Sequence, residues 1–144
     1  MVLRFLIADD CNSVQQYLQT IMKRYGECTA AWNGNEAVTL FGEALDEGRP
    51  YDAVLMDIMM PVMDGLSAVS AIRDIEQKRL PESEKGVKII MVSCLSDSKH
   101  MVTAQYECGA DAYLTKPLEI EALIESLRNL QIIENNVTDE EHCV

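Results

Sequence analysis

Five short apolar runs recur along the chain, each followed by a turn and then a longer segment whose apolar residues return with helical period. The runs begin near Leu3, Cys28, Ala53, Lys88 and Ala112, about 25 residues apart except for a longer step from Ala53 to Lys88. A strand of ~5–6 residues, a helix of ~11–12 and two short loops fill such a step. Crossover connections of that kind make neighbouring strands parallel. Residues 3–8, 53–56 and 87–92 are nearly continuous in apolar side chains rather than alternating, as strands covered on both faces require. The run Cys28-Thr29-Ala30-Ala31-Trp32 is weaker and suits a strand nearer an edge.

Between the runs, Val14, Tyr17, Leu18, Ile21, Met22 and Tyr25 fall on one helical stripe. Ser13 with Gln16 reads as a capping box, and Gly26 as the residue just past the helix end. Further helices are predicted over 35–47, 66–77 and 98–108, with a last one carrying Ile120, Leu123, Ile124 and Leu127. The excess of the long step is a polar, Pro- and Gly-bearing loop at 77–86. The predicted fold is α/β, a doubly wound parallel sheet in one domain over 1–133, with an acidic, fraying tail at 134–144.

Charge narrows the partners. Of 144 residues, 24 are Asp or Glu and 12 Lys or Arg, a formal net charge of −12. Such a surface repels a phosphate backbone and an anionic leaflet, so neither direct nucleic-acid binding nor membrane attachment is expected. No apolar run approaches the ~20 residues of a membrane helix. The opening Met1–Leu6 contains Arg4 and soon meets Asp9 and Asp10, unlike a secretory signal, so a cytoplasmic location is expected. Met1 directly before the first run suggests a complete start, while excision from a longer hybrid protein stays open. The five cysteines (Cys11, Cys28, Cys94, Cys108 and Cys143) contain no C-x-x-C pair, and His100 and His142 stand alone. Reduced thiols and no zinc site are the plain reading.

In an open parallel sheet, ligands bind beyond the carboxyl ends of the strands. The first run closes in Asp9-Asp10, the third in Asp57, the fourth in Ser93 and the fifth in Thr115-Lys116-Pro117. One such acid alone reads equally well as a solvated residue or a helix cap. Three together are different, since two like charges ~4 Å apart repel by about 4 kcal/mol at an effective dielectric near 20. A hard divalent cation and Lys116 offset that repulsion, and oxygen-only donors suit Mg²⁺. No Gly-rich phosphate loop follows the first strand, and no His lies at a strand end to activate Ser93. What remains is a carboxylate–metal–lysine centre handling a phosphoryl group, in which one carboxylate can serve as nucleophile.

These residues resemble the receiver domains of bacterial two-component response regulators, in their stand-alone, CheY-like form. The resemblance runs from about Leu3 to Leu130. It rests on Asp9-Asp10, on the stretch from Leu55 to Gly65 (LMDIMMPVMDG), on Ser93, and on the stretch from Gly109 to Pro117 (GADAYLTKP). It implies a flavodoxin-like five-stranded sheet of order 2-1-3-4-5 and a phosphorelay switch rather than an enzyme. By resemblance Asp57 is the phosphoacceptor. Asp10, Asp57 and the backbone carbonyl of Met59 ligate Mg²⁺, and Asp9 acts through a water. Lys116 and Ser93 contact the phosphoryl oxygens, and Tyr113 is the switch aromatic that responds to Ser93. The implied donor is a sensor histidine kinase or a histidine phosphotransfer protein. The implied output is a downstream protein bound at the fourth helix, fifth strand and fifth helix, with the chain a monomer or a phosphorylation-dependent dimer.

Several positions depart from the commonest family pattern. Cys94 stands where Ala or Gly is more usual, which narrows donor access. Met59 and Leu95 are apolar where some relatives place water with polar groups, so slower self-dephosphorylation is expected. The apolar loop of Ile58, Met59, Met60, Val62 and Met63 is expected to pack against the first helix. Cys11 reads as a buried bystander. Two other readings stay open: a pseudo-receiver scaffold that never takes phosphate, and a Mg²⁺-dependent phosphohydrolase with an Asp nucleophile. The latter is weakened by Met59, which stands where a general acid would be needed.

Overall fold

The computed structural model describes residues 2–81, 86–94 and 109–133. Its strands are β1 (Leu3–Ala8), β2 (Gly26–Ala31), β3 (Ala53–Asp57), β4 (Lys88–Cys94) and β5 (Ala112–Lys116). The helices among these residues are α1 (Asn12–Met22), α2 (Gly34–Asp46), α3 (Gly65–Arg79) and α4 (Ile120–Asn129). All strand pairs are parallel, in the order β2-β1-β3-β4-β5. The chain leaves β1 for β2 on one side, then crosses back past β1 to β3. The winding therefore reverses between β1 and β3, and a crevice opens at their carboxyl ends.

Burial follows the apolar runs. Every residue of β3 is buried, whereas the edge strands β2 and β5 are mostly half-buried. One face of the sheet packs Leu6, Val54, Met56, Ile89 and Met91 against Phe41 of α2 and Val69 and Ile72 of α3. The other packs Phe5, Ile7, Leu55 and Ile90 against Leu18, Ile21 and Met22 of α1 and Leu123 and Leu127 of α4. Truncating one such side chain to Ala costs about 2–5 kcal/mol, so the sheet is a stiff platform for its loops.

Local details differ from the sequence reading where backbone hydrogen bonding overrides pattern. Cys11 is the N-cap of α1, without a side-chain cap bond, so Ser13 and Gln16 form no capping box. Gly26 opens β2 rather than closing α1: it pairs with Leu3, whose carbonyl oxygen would lie 2.2 Å from an added Cβ. Trp32 falls outside β2 and is 39% exposed. The third helix runs on to Arg79, shortening the loop expected from Gln77. The apolar loop packs on the opposite side from that expected: Ile58, Met60 and Met63 join the α2–α3 core, while Met59 and Val62 are exposed. The expected helix at 98–108, Leu95, both histidines, Cys108, Cys143 and the tail at 134–144 lie outside the described residues.

Candidate metal and phosphoryl centre

Asp9 and Asp10 follow β1 directly, and Asp57 is the last residue of β3, so the crevice holds all three acids. A carboxylate oxygen from each lies within 4.8 Å of the others. Asp9 and Asp57 are buried and Asp10 is exposed, leaving one open side. Lys116, closing β5, reaches in with its Nζ 3.1 Å from Asp9 Oδ2 and 3.5 Å from Asp57 Oδ1. Sequence reasoning brought these four groups together, but not the tighter pairing of Lys116 with Asp9.

The electrostatics are those of a partly compensated anionic site. Burial first, then the charge of Asp9, push the Asp57 carboxyl up from 3.8 to about 6; Lys116 pulls the other way and Asp10 adds to the rise. Desolvation pulls the Lys116 ammonium down, but the charges of Asp57 and Asp9 outweigh it and hold it above the usual lysine range. Asp57 is therefore mostly ionised at pH 7, and one ammonium faces three carboxylates. The all-oxygen donor set, its spacing and its surplus negative charge fit a hard divalent cation.

Beyond the acids, the surrounding loops are fixed by close backbone approaches. Gly65 donates its N–H to the Ile58 carbonyl at 2.7 Å, and an added Cβ would sit 2.1 Å from the Asp57 carbonyl oxygen. Gly34 donates to the Met63 carbonyl at 2.9 Å, and Asp64 caps α3 through the Ser67 N–H. The intervening turn carries Val62 at φ +69°. Met59 sits in this loop and is 53% exposed. Ser93 pairs with Thr115 across β4 and β5, and Cys94 with Lys116. Tyr113 is half-buried, packed against the core on the α2–α3 side. Cys11 is exposed rather than buried, its thiol 3.2 Å from Ser13 Oγ; that hydrogen bond and the Val14 backbone bond lower its pKa.

The family model for the response regulator receiver domain matches residues 5–128. The chain belongs to that family. Receiver domains are the phosphoacceptor switches of two-component signalling. This one is 30% identical over 131 residues to the chemotaxis protein CheY of Halobacterium salinarum, covering 90% of the chain and 98% of that relative. It is 36% identical over 131 residues to the probable transcriptional regulator ycf27 of Cyanidium caldarium, covering 88% of the chain but 47% of that longer protein. The chain thus spans less than half the length of some relatives it matches. Among solved structures, the receiver domain resembles a chain of the co-crystal structure of the Saccharomyces cerevisiae phosphotransfer protein Ypd1 with the receiver domain of Ssk1. There the TM-score is 0.77 at 25% identity, covering 94% of this chain and 93% of that one.

Two features of this receiver domain escaped the sequence reading. Gln15, an amide in the buried face of α1, is 1% exposed and donates to three backbone carbonyls beneath the acids. Its spacing from Leu18 and Met22 was the available signal, since 15, 18 and 22 share a helix face. Tyr17, read as part of the apolar stripe, is 40% exposed and donates its hydroxyl to the Leu118 carbonyl at 3.0 Å. Beside that bond lies a cavity of about 430 Å³ lined by Val14, Tyr17, Val92, Lys116, Pro117 and Leu118, among others. Among the described residues, no helix is long and apolar enough to cross a membrane.

Proposed function

We propose that Asp57 is the phosphoacceptor of this receiver domain and that the chain is a cytoplasmic switch read by protein partners. The observation that carries this reading is the convergence of three carboxylates and Lys116 within one crevice. An Asp57 carboxylate oxygen attacks the phosphorus of a phosphohistidine. A P–O bond forms as the P–N bond breaks, and the electron pair leaves with the imidazole nitrogen. Lys116 lies where its charge can meet the phosphoryl oxygens, and Ser93 supplies a hydroxyl from the neighbouring strand end. Phosphoryl transfer spreads charge over those oxygens, so positioned cations and donors do most of the work.

Asp10, Asp57 and the Met59 carbonyl would hold Mg²⁺, with Asp9 acting through a water. Once bound, the ion neutralises the carboxylates and the incoming phosphoryl group. The donor is a sensor histidine kinase or a histidine phosphotransfer protein. Output leaves through β5, α4 and the segment preceding β5. Tyr113 on β5 is the aromatic that responds to Ser93.

Intact mass after mixing with Mg²⁺ and acetyl phosphate tests the reading. One labile phosphoryl adduct is expected, lost in Asp57→Asn and in chelator. No adduct in the wild type or in Cys94→Ala, the substitution toward the commoner small residue, would instead favour a scaffold that never takes phosphate.

A further inference from the structure

The acids do not hold their own geometry. Burying an amide is costly unless its donors and acceptor are met, and Gln15 meets them beneath the site. Its Nε2 donates to the carbonyls of Ile7 at 2.8 Å, Ala31 at 2.9 Å and Asp9 at 3.2 Å. Its Oε1 accepts from Gln19 Nε2 at 3.1 Å, so the neighbouring turn of α1 fixes which end of the amide faces the strands. The Asp9 N–H donates to the Ala31 carbonyl at 3.0 Å. The Asp9 backbone is therefore gripped at both ends: its N–H by β2, and its C=O by an amide that also holds the same Ala31 oxygen.

The grip extends to both acids. Asp9 Oδ1 accepts the Cys11 N–H at 2.9 Å and Oδ2 faces Lys116, so the carboxylate orientation follows from a backbone that Gln15 secures. The Asp9 C=O belongs to the peptide unit that joins Asp9 to Asp10. Fixing that planar unit fixes where Asp10 leaves the chain. Asp10 is exposed, and no hydrogen bond or ion pair of its side chain appears among the described residues.

We propose that Gln15 is a positioning residue: its amide pre-sets Asp9 and Asp10 for the cation, and replacing it weakens Mg²⁺ binding while leaving every carboxylate in place. The proposal rests on the receiver reading of the site. An apolar side chain of similar length, as in Gln15→Met, fills the space but leaves the Asp9 and Ile7 carbonyls without this donor. Partners behind a metal ligand typically affect affinity by roughly 10–100-fold when removed.

The test is an NMR titration of ¹⁵N-labelled protein with MgCl₂, following the Cys11 amide, which donates to Asp9. Wild type, Gln15→Met and Gln19→Ala are compared, with thermal midpoints measured alongside. A rise of roughly 10-fold or more in the Mg²⁺ dissociation constant is expected for Gln15→Met, and a smaller rise for Gln19→Ala. Phosphoryl acceptance from acetyl phosphate in Gln15→Met should need more Mg²⁺ yet recover its rate at saturation, a split that mere loss of folded protein does not give. A folded Gln15→Met with a dissociation constant within about twofold of wild type overturns the proposal. If that variant does not fold, Gln19→Ala decides, and a wild-type constant there overturns it. A wild type whose Cys11 amide ignores Mg²⁺ fails the reading of the site itself, and the proposal with it.

Discussion

Replacing Asp57 with Asn should stabilise the metal-free protein, and by an amount that depends on pH. The folded-state pKa of Asp57 is raised from 3.8 to about 6 by burial and by Asp9. The native state therefore binds more protons than the unfolded state between those values. Stability falls as pH rises through that window and stays lower above it. At about 1.36 kcal/mol per pKa unit the limit is about 3 kcal/mol. The open side at Asp10 admits solvent and screens the charge, which brings the expected cost to about 1–2 kcal/mol. Lys116 keeps its contact with Asp9 in the variant, so the ammonium is not stranded.

Urea unfolding of wild type and Asp57→Asn in chelator, from pH 4 to 8, measures this. The variant should be more stable by about 1–2 kcal/mol at pH 7, with the gap closing as pH falls towards 4. Mg²⁺ should then favour wild type, because a cation bound only by the folded state adds stability by mass action. An Asn variant that is less stable at pH 7, or a gap that does not change with pH, would refute the picture of an acid held against its neighbours.

Two further predictions concern the scaffold. The Arg73 guanidinium donates to Glu76 at 2.6 Å, Asp111 at 2.9 Å and the Gly109 carbonyl at 2.9 Å, while Glu76 also accepts the Val87 N–H at 2.5 Å. Arg73→Ala leaves Glu76 buried without its cation and should cost about 3 kcal/mol in urea unfolding; a loss below about 1 kcal/mol would mean solvent replaces the partner. Val62 holds a β-branched residue at φ +69° while 83% exposed, so nothing is packed there to lose. Val62→Asn should gain about 0.5–1 kcal/mol by denaturant midpoint, and a destabilised variant would show that the loop depends on valine.

The fold was legible because it is written in apolar side chains. Continuous runs gave the covered strands β1, β3 and β4, the weak run at Cys28 gave the edge strand β2, and the spacing of the runs forced parallel crossovers. Boundaries were less legible because they are set by backbone hydrogen bonds. Gly26 pairs with Leu3 and so begins a strand, although its residue type signals a helix end equally well. The side on which the 58–63 loop packs was hidden for a similar reason. An apolar composition says that Ile58 and Met63 will be covered, but the Gly34 N–H bonded to the Met63 carbonyl determines that α2 does the covering.

The acid cluster was legible in its charged members and illegible in the neutral amide beneath it, and the difference is physical. Asp9, Asp10, Asp57 and Lys116 declare themselves because several charges at successive strand ends have no cheap structural explanation. Gln15 is neutral, and its chemistry is spent on backbone carbonyls, which carry no residue identity for a sequence pattern to report. A site built on repulsion needs such support more than one built on attraction. With Asp57 pushed to about 6 and one lysine shared between two acids, the carboxylates gain by moving apart unless the backbone forbids it. The amide beneath Asp9, the glycine approach behind Asp57 and the strand pairing of Lys116 with Cys94 supply that restraint from three sides. On the proposed function, a cation and a phosphoryl group would meet an arrangement whose cost was met on folding, leaving more of their binding energy to drive the switch.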